Sequence, residues 1–600
     1  MAWLVSDIKQ TFDVLVLKLL EQILLGNAAS PLRKALIDSE LGSSLADVTG
    51  FDADNRDTLF ACGLKDVEPG DAEKIESIVF DTLSRLVAEG IDRELIDAAI
   101  HQIEFHRKEI TNTPYPFGIK LLLTVSGSWF HGGRPEKVLQ FDADISKIRE
   151  EAARGGFFES IIKERLLENR HRVLFTLEPD QKKAAREMER TRKELDAIQQ
   201  RLSSEKLESI VQDAAALEEM QEHSEDIGCL PTLAIEDIPP SIQTVVPSAA
   251  HAGAPATCFT QPTSGIYYFT AAMGVGSLTA PLLPLAPFMC YALPKVSTRR
   301  RDFTDMVRRI DTHTGGISLS STARTRFDST GVCMPYMVVN AKCLSRNIEN
   351  MFQIIGEVLF EADFSDKTRL KSLLLEYKAG LDAMVIHNGH RLASSLASRS
   401  FSEAAALSET WGGIQQLKYM QALTEDLTDD KMAAVARDLT TIRDLAITTE
   451  NVKAGLVGET CDLEDSLGYL AQGGPLAGVS VFEPGGAGFA LPPVTPEGGP
   501  VREGWSTSSA VSFVAKTIRT VRMAHEDSPA LAVISKMLRS MYLHREIREK
   551  GGAYGGFALY SSETGLFNFA SYRDPHILAT LNAFEGAAAF IVSGKYTQED

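Results

Sequence analysis

The alternation of apolar and polar residues predicts that residues 1–180 form a largely helical block with a few strands. Between 13 and 25, leucine and isoleucine side chains alternate with Lys18 and Glu21, which is the pattern of an amphipathic helix. Ser30 and Pro31 are typical of a helix start, the first as the cap and the second in the first turn. The predicted elements are helices at 13–25, 30–42, 71–88 and 93–110 and a strand at 171–177.

Residues 181–221 contain neither Gly nor Pro and are dense in Lys, Arg and Glu. This composition predicts a long helical hairpin, interrupted near Ser203 and Ser204, in a linker that occupies 181–229 between two globular halves. A coiled-coil arm that binds a partner is the alternative interpretation.

The residue pattern after 230 predicts two more blocks, at 230–475 and 476–600. A segment rich in Pro and Gly, 475–500, leads into the second of them. Strands alternate with long helices in both, which indicates repeated α+β units rather than one doubly wound sheet. The predicted elements are strands at 266–275, 317–325, 334–340, 510–516, 553–561 and 566–572 and helices at 282–293, 346–443 (several), 531–549 and 575–592.

No Asp, Glu, Lys or Arg occurs between Asp237 and Lys295, which raises the question of a membrane span. The most apolar part, 265–294, is interrupted by repeated Gly and Pro, whereas a spanning helix needs ~20 residues with an intact backbone ladder. A buried strand followed by a buried helix is therefore predicted. Residues 1–6 contain no basic region and apolar core of a signal peptide.

Lys and Arg number 61 against 81 Asp and Glu, a net charge of −20 that argues against nucleic acid or an anionic membrane as partner. An ordinary acidic protein has the same balance. The seven cysteines are far apart and form no C-x-x-C pair, which favours a reducing compartment and argues against a disulfide framework. The expected location is a bacterial cytoplasm or an organelle matrix.

Motif searches assign no chemistry of their own. The sequence has no phosphate-binding GK[ST] loop, no dinucleotide fingerprint and no G-x-S-x-G elbow. The one near match to a zinc motif, HQIEFH, places His101 and His106 ~140° apart around a helix, so they cannot face one ion. No H-E-x-x-H or H-x-x-E-H occurs, and no metal ligands are predicted in this chain.

Several segments together resemble the presequence protease branch of the pitrilysin/insulinase zinc metallopeptidases. They are GNAASPLRKALIDSELG (26–42), HRVLFTLEPD (171–180), CLPTLAIEDIP (229–239), THTGGISLS (312–320) and, most specifically, KGGAYGGFALYSSETGLFNFASYRDP (550–575). The resemblance extends over the whole chain in order.

The resemblance implies four homologous α+β domains in two halves that close around a chamber, with zinc held by the first domain. Residues 1–180 are then the second domain, 230–475 the third and 476–600 an incomplete fourth, without the zinc-bearing first. In the third domain, Pro287 and Tyr291 stand at the histidine positions of the zinc helix and Cys290 at its glutamate. This copy is therefore expected to hold no metal.

The resemblance also implies which residues of this chain touch a substrate. In the family, an Arg at the end of a helix and a Tyr just after the following glycines reach the carbonyl of the bound peptide. The matching positions are Arg548 and Tyr554, with the glycines Gly552, Gly555 and Gly556 expected to let the peptide backbone approach. A guanidinium and a phenol are donors suited to a developing oxyanion.

The resulting hypothesis is a part of a zinc metalloendopeptidase that encloses short unstructured peptides, with basic peptides favoured by the chain's negative charge. Zinc belongs to the complete enzyme, and the chain alone is expected to be inactive. Two alternatives stay open: a catalytically silent subunit that closes over a separately encoded zinc-bearing half, and a peptide-binding protein.

Overall fold

A computed structural model describes residues 1–111, 114–222, 229, 234–328, 331–471, 476–481, 487–494, 499, 501–594 and 596. The described chain divides into two units, one of residues 1–174 with 247–600 and one of residues 175–246. The architecture is mixed α+β, as predicted. Parts of the Pro- and Gly-rich segment 475–500 and of 229–239 lie outside the described residues.

The first block has an antiparallel sheet of order β3-β4-β1-β6, packed by helices. Trp3 of the sheet and the leucine face of the helix at 11–25 are fully buried in its core. The elements are β1 Ala2–Asp7, α1 Thr11–Leu25, α2 Pro31–Asp38, β2 Ser44–Leu45, β3 Gly50–Asp52, β4 Asp57–Ala61, β5 Leu64–Lys65, α3 Ala72–Glu89, α4 Arg93–Lys108, α5 Phe117–Phe130, α6 Pro135–Leu139, α7 Phe141–Arg154, α8 Phe157–Ile162, a π-turn Lys163–Leu167 and β6 Arg172–Val173.

The strand predicted at 171–177 is only two residues long in the structure. Val173 of β6 pairs with Ala2 and Arg172 with Trp3 in antiparallel register. Beyond Val173 the side chains of Phe175 and Leu177 are exposed.

The unit 175–246 contains the helices predicted there, α9 Lys183–Arg201 and α10 Ser204–Glu222, and a 3₁₀ turn Ile235–Asp237. They are interrupted at Leu202 and Ser203, next to the predicted break. Nearly all described side chains of both helices are exposed, so the two helices bury no extended interface between them.

The second block has a sheet of order β10-β11-β8-β13-β7, antiparallel except for the pair β13–β7. Its elements are a 3₁₀ turn Ala249–His251, β7 Thr257–Thr260, β8 Ile266–Gly274, the helical run of Leu283–Leu285 (3₁₀), α11 Ala286–Ala292 and Leu293–Lys295 (3₁₀), β9 Ser297–Thr298, α12 Phe303–His313, β10 Ile317–Thr325, β11 Cys333–Leu344, a 3₁₀ turn Ser345–Asn347, α13 Ile348–Phe360, β12 Ala362–Asp363, α14 Lys367–His387, α15 Gly389–Ser398, α16 Glu403–Gly412, α17 Ile414–Thr424, α18 Asp429–Ala446, β13 Val452–Gly458 and α19 Thr460–Ala471.

The uncharged segment before Lys295 forms β8 and α11, both inside this core, as its Gly and Pro content predicts. No helix of the described ranges has the length and apolar character needed to cross a bilayer. One sheet face packs on the helices, and the other is polar, where Thr270 and Asn340 of neighbouring strands share a 2.9 Å hydrogen bond.

The last block has an antiparallel sheet of order β14-β16-β15 under two helical segments. Its elements are a 3₁₀ turn Ala487–Phe489, β14 Ala515–Arg519, α20 Ser528–Met537 with its π-helical continuation Leu538–Glu549, β15 Gly555–Ser561, β16 Leu566–Tyr572 and α21 Leu578–Ser593. The first strand begins later than the predicted 510–516 because Ala515 is the first residue in ladder register with β16, opposite Ala570.

Helix α4 joins the first block to the second through one face. The Nε2 amide of Gln102 donates to the carbonyls of Asp311 (2.6 Å) and Thr314 (2.7 Å). One turn further along, the fully buried ring of Phe105 lies where a side chain at Gly315 would stand. The TGG sequence at 314–316 therefore leaves room for a ring from another block.

We expect Gly315→Ala to destabilise the protein. The added Cβ would lie 2.2 Å from an atom of the Phe105 ring, which is walled in and cannot rotate away. Such overpacking costs about 2 kcal/mol and should lower the midpoint of urea unfolding. Gly380→Ala is the matched control, because its Cβ meets nothing within 4 Å on an exposed position of α14. That control should gain about 0.5–1 kcal/mol; equal effects of the two changes would refute the contact.

Candidate functional site

The helix that carries Arg548 ends in a hydrogen-bonded turn. The N–H of Gly552 donates to the Arg548 carbonyl and that of Ala553 to the Ile547 carbonyl, both at 3.0 Å. Gly552 has φ +72°, a left-handed conformation that is common in the residue just after a helix and that glycine adopts without strain. Gly552, predicted to face the substrate, thus terminates the helix and directs the chain into β15.

The guanidinium of Arg548 is held at the surface by a short relay of polar side chains. Its Nη1 lies 3.0 Å from Nε2 of His544, and Nδ1 of the same ring lies 3.2 Å from a carboxylate oxygen of Glu549. Because the guanidinium only donates, Nε2 accepts and the proton is on Nδ1, directed at Glu549. The relay aims Arg548 and fixes the imidazole tautomer.

Sequence reasoning missed His544 and Glu549 for a geometric reason. They are five positions apart, and in an α-helix such residues point in different directions. The π-helical run Leu538–Glu549 has a wider turn that brings the positions four and five further on alongside His544. The spacing of His544 and Arg548 was the one available signal.

Tyr554 lies in the connection between the helix and β15 and is anchored by its backbone. Its N–H donates to the Tyr572 carbonyl at 3.0 Å, and its ring meets that of Tyr572 edge to face at 5.7 Å. The side chain is 68% exposed. The phenol is therefore exposed to solvent, while the backbone that carries it is held by the hydrogen bond to Tyr572.

The two glycines of β15 make room for neighbours inside the fold. A Cβ at Gly556 would lie 3.1 Å from the Leu543 carbonyl oxygen and 3.2 Å from the Ile547 side chain, so the backbone that approaches it is that of its own helix. A Cβ at Gly555 would lie 3.2 Å from the Phe557 ring. Both positions have a packing explanation, and contact with a substrate stays a prediction.

Arg548 and Tyr554 thus present donors from the two sides of one helix terminus. Within the described part of the chain they do not bond to each other, and both are exposed. Such a pair is suited to bind one acceptor, such as a peptide carbonyl oxygen.

The third-block helix that corresponds to the family's zinc helix does not fit a metal ion. Pro287 has no donor atom, and burial raises the pKa of the Cys290 thiol to about 12. The third residue, Tyr291, is covered by the Lys295 ammonium, whose Nζ lies 3.3 Å from the ring centroid. Burial, with a smaller contribution from Glu376, raises the pKa of the Tyr291 phenol far above its ordinary range.

Cations of the protein occupy this position instead. Glu376 of α14 accepts from Arg33 of the first block at 2.8 Å, and its charge acts on the nearby Tyr291 phenol. Lys295 and Arg369 lie near the same carboxylate, and burial lowers the pKa of Lys295 to about 8. An ammonium and guanidinium groups thus balance a carboxylate that joins the two blocks.

Elsewhere the described residues contain no group of three His, Cys, Asp or Glu side chains that could hold a metal. In α4, His101 is buried, whereas His106 is exposed and its Nδ1 donates to the Gln102 carbonyl at 2.7 Å. Glu104 of the same motif pairs with Arg149 at 2.7 Å. The three residues of HQIEFH serve separate structural contacts.

Comparison with known proteins agrees with this organisation. Three family models match, namely the peptidase M16 inactive domain over 1–103, the associated domain of peptidase M16 subfamily C over 177–423 and the PreP C-terminal domain over 505–600. Mitochondrial presequence protease of Danio rerio is 30% identical over 100% of this chain and 60% of its own length. Presequence protease 1, chloroplastic/mitochondrial, of Arabidopsis thaliana is 28% identical over 98% of this chain and 54% of its own.

Protein HypA of Clostridium perfringens is 27% identical over 97% of this chain and 58% of its own length. Among solved structures, the peptidase M16 inactive domain from Pseudomonas fluorescens covers 60% of this chain and 81% of its own, with 15% identity and a TM-score of 0.40.

The three family models and the presequence protease relatives belong to one class of proteins, the pitrilysin-type peptidases. The chain belongs to that family, M16, as a presequence protease-like member, which confirms the resemblance seen in its sequence. Its inactive-domain match corresponds to the non-catalytic part of a zinc-dependent family. The chain spans about 60% of the length of the curated relatives it matches.

We expect Glu376→Ala to destabilise the protein, because it removes the carboxylate among Arg33, Lys295 and Arg369. Breaking a fully buried pair costs roughly 3–5 kcal/mol; here the loss should be about 2 kcal/mol, since both side chains of the pair with Arg33 are about one-quarter exposed. Thermal unfolding measures the change. Asp382→Ala removes the more exposed ion pair with Lys378 on the same helix and a surface hydrogen bond from Gln421, and should cost less than about 1 kcal/mol. A loss no larger than in this control would contradict the assignment.

Proposed function

We propose that this chain is the substrate-enclosing and carbonyl-binding part of a zinc metalloendopeptidase that degrades short unstructured peptides. One observation carries the proposal: Arg548 and Tyr554 are exposed donors at one helix terminus, in a chain similar to presequence proteases along its whole length. The relatives named presequence proteases support peptides as the substrate class.

In this proposal each residue has a distinct task. Arg548 and Tyr554 donate hydrogen bonds to the scissile carbonyl oxygen, whose negative charge grows as the bond to the incoming oxygen forms. Neutral His544 accepts from Arg548 and keeps the guanidinium oriented. Loss of one such donor typically raises the barrier by ~3 kcal/mol.

The zinc ion and the general base would come from a zinc-bearing first domain, in cis or in trans, because the corresponding helix here holds Pro287, Cys290 and Tyr291. Helix α5 supports such a partner. It exposes a set of large apolar side chains, which a polar solvent disfavours. Those exposed by half or more are Leu122, Leu123, Trp129 and Phe130.

The same apolar helix favours a second candidate, a catalytically silent subunit that closes over a separately encoded zinc-bearing half. The coding region immediately upstream discriminates between the two. An in-frame H-x-x-E-H segment supports one polypeptide, whereas a separate complete gene for a zinc-bearing half supports a two-subunit enzyme.

The purified chain should bind no stoichiometric zinc and should not cleave a fluorogenic unstructured peptide. Addition of a presequence protease-type domain with H-x-x-E-H, co-expressed or fused at the N-terminus, should produce cleavage. Atomic absorption and the fluorescence rate measure both properties. Stoichiometric zinc together with robust cleavage by the chain alone would overturn the proposal.

In the assembled enzyme, Tyr554→Phe and Arg548→Ala should each lower kcat about 10²- to 10³-fold with a small change in KM, because the donors act on the developing charge. Thermal unfolding should be unchanged, since both side chains are exposed. Lys536→Ala, which removes an exposed cation from the same helix, is the control and should keep full activity. Unchanged kcat in both variants would exclude Arg548 and Tyr554 from catalysis.

A further inference from the structure

A cavity of about 520 Å³ lies between the C-terminal end of α4, helix α5 and strand β11 of the second block. Its charged lining is dominated by cations, Arg107 and Lys120 from the first block and Lys342 from the second, with one carboxylate, Glu109; the His106 ring also lines it. The chain as a whole has a net charge of −20, so this cavity is an exception on an acidic protein.

The one acidic group in the cavity is already neutralised. The Glu109 side chain is 8% exposed and accepts from the Lys342 ammonium at 2.6 Å. It also accepts from the Tyr268 hydroxyl at 3.4 Å. Burial, with the nearby Glu109 charge, raises the pKa of Tyr268 to about 12, so the phenol keeps its proton and remains a donor. Glu109 is thus occupied by Lys342 and Tyr268. Among the residues that the structure describes, its carboxylate does not pair with Arg107 or Lys120.

Arg107 and Lys120 each use only some of their N–H donors in contacts within the fold. Arg107 uses one N–H on the Val138 carbonyl at 3.3 Å and lies over the Phe141 ring, 5.6 Å from its centroid. Lys120 uses one of its three N–H bonds on the Thr111 hydroxyl. The three Lys and Arg side chains and the one carboxylate give the lining a net charge of two positive charges before His106 is considered.

The start of helix α5 adds to this field. Phe117, its first residue, and Lys120 in its first turn both line the cavity, so the helix N-terminus borders the cavity. The N–H groups of a first turn carry partial positive charge and favour an anion. The cationic side chains and the N-terminus of α5 thus both favour an anion in the cavity.

We propose that this cavity binds a carboxylate of a peptide, either an acidic side chain or the C-terminus. The guanidinium of Arg107 offers a planar fork that matches two carboxylate oxygens, and Lys120 offers a point charge beside it. The identity of the ligand as a peptide rests on the proposed function, but the binding itself requires no zinc and no cleavage.

The test uses the purified 600-residue chain without added metal and three fluorescent peptides of one sequence. The first has a Glu and a C-terminal carboxylate, the second has Gln in place of Glu, and the third is C-terminally amidated. Fluorescence anisotropy gives each Kd. A charge-assisted contact predicts about tenfold weaker binding of whichever peptide lacks the bound carboxylate, and this difference identifies the source.

Lys120→Gln and Arg107→Gln should each weaken binding of the acidic peptide about tenfold and remove its advantage over the neutral peptide. Lys108→Gln is the control, because Lys108 lies on the same helix as Arg107, pairs with Glu104 and does not line the cavity. Lys342 is left intact, since its loss would unpair buried Glu109. Circular dichroism checks the fold, and Lys120, in the solvent-exposed helix α5, tests the cavity even if Arg107→Gln unfolds.

Equal affinity for all three peptides, or equal losses in Lys120→Gln and Lys108→Gln, would overturn the assignment. Failure of the proposed peptidase activity leaves this readout unaffected, because no step of the assay depends on catalysis.

Discussion

One face of helix α4 is the constraint on which the arrangement of the first two blocks depends. Gln102, Phe105 and Glu109 are spaced three and four residues apart, so they lie on one side of the chain where α4 ends. Each contacts the second block in a different way: amide to carbonyl, ring to glycine and carboxylate to ammonium. The polar sheet face and the cationic cavity are positioned by this contact.

The third-block helix that the sequence resemblance matches to the family's zinc helix is surrounded by an internal charge cluster. A divalent ion provides charge that carboxylate and imidazole ligands balance. Here the balance is reversed: Lys295, Arg33 and Arg369 supply positive charge around Glu376, and Tyr291 closes the site. Because Arg33 comes from the first block, the same carboxylate also joins two blocks.

The turn at Gly552 determines where the side chains before and after it are placed. A left-handed residue lets the chain reverse from the helix into a strand within a few residues. Arg548 before this turn and Tyr554 after it are therefore brought to the same end of the block, although neither contributes to the core. Gly556 permits close packing of the helix on β15 and Gly555 leaves room for the Phe557 ring, which explains both glycines whether or not a peptide approaches.

Sequence alone determined the α+β class, the pair of charged helices with a break near Ser203 and Ser204, the burial of the uncharged segment before Lys295 and the family. These follow from local periodicity, composition and quoted motifs, which each stretch of chain carries by itself. Tertiary structure alone decided the length of the strand at 172–173, the wide helical turn that gives Arg548 its partner His544, and the charged cluster around Glu376. It also brought Lys342 beside Glu109, 233 positions earlier. Pairings of this kind depend on which surfaces meet, and no local pattern encodes that.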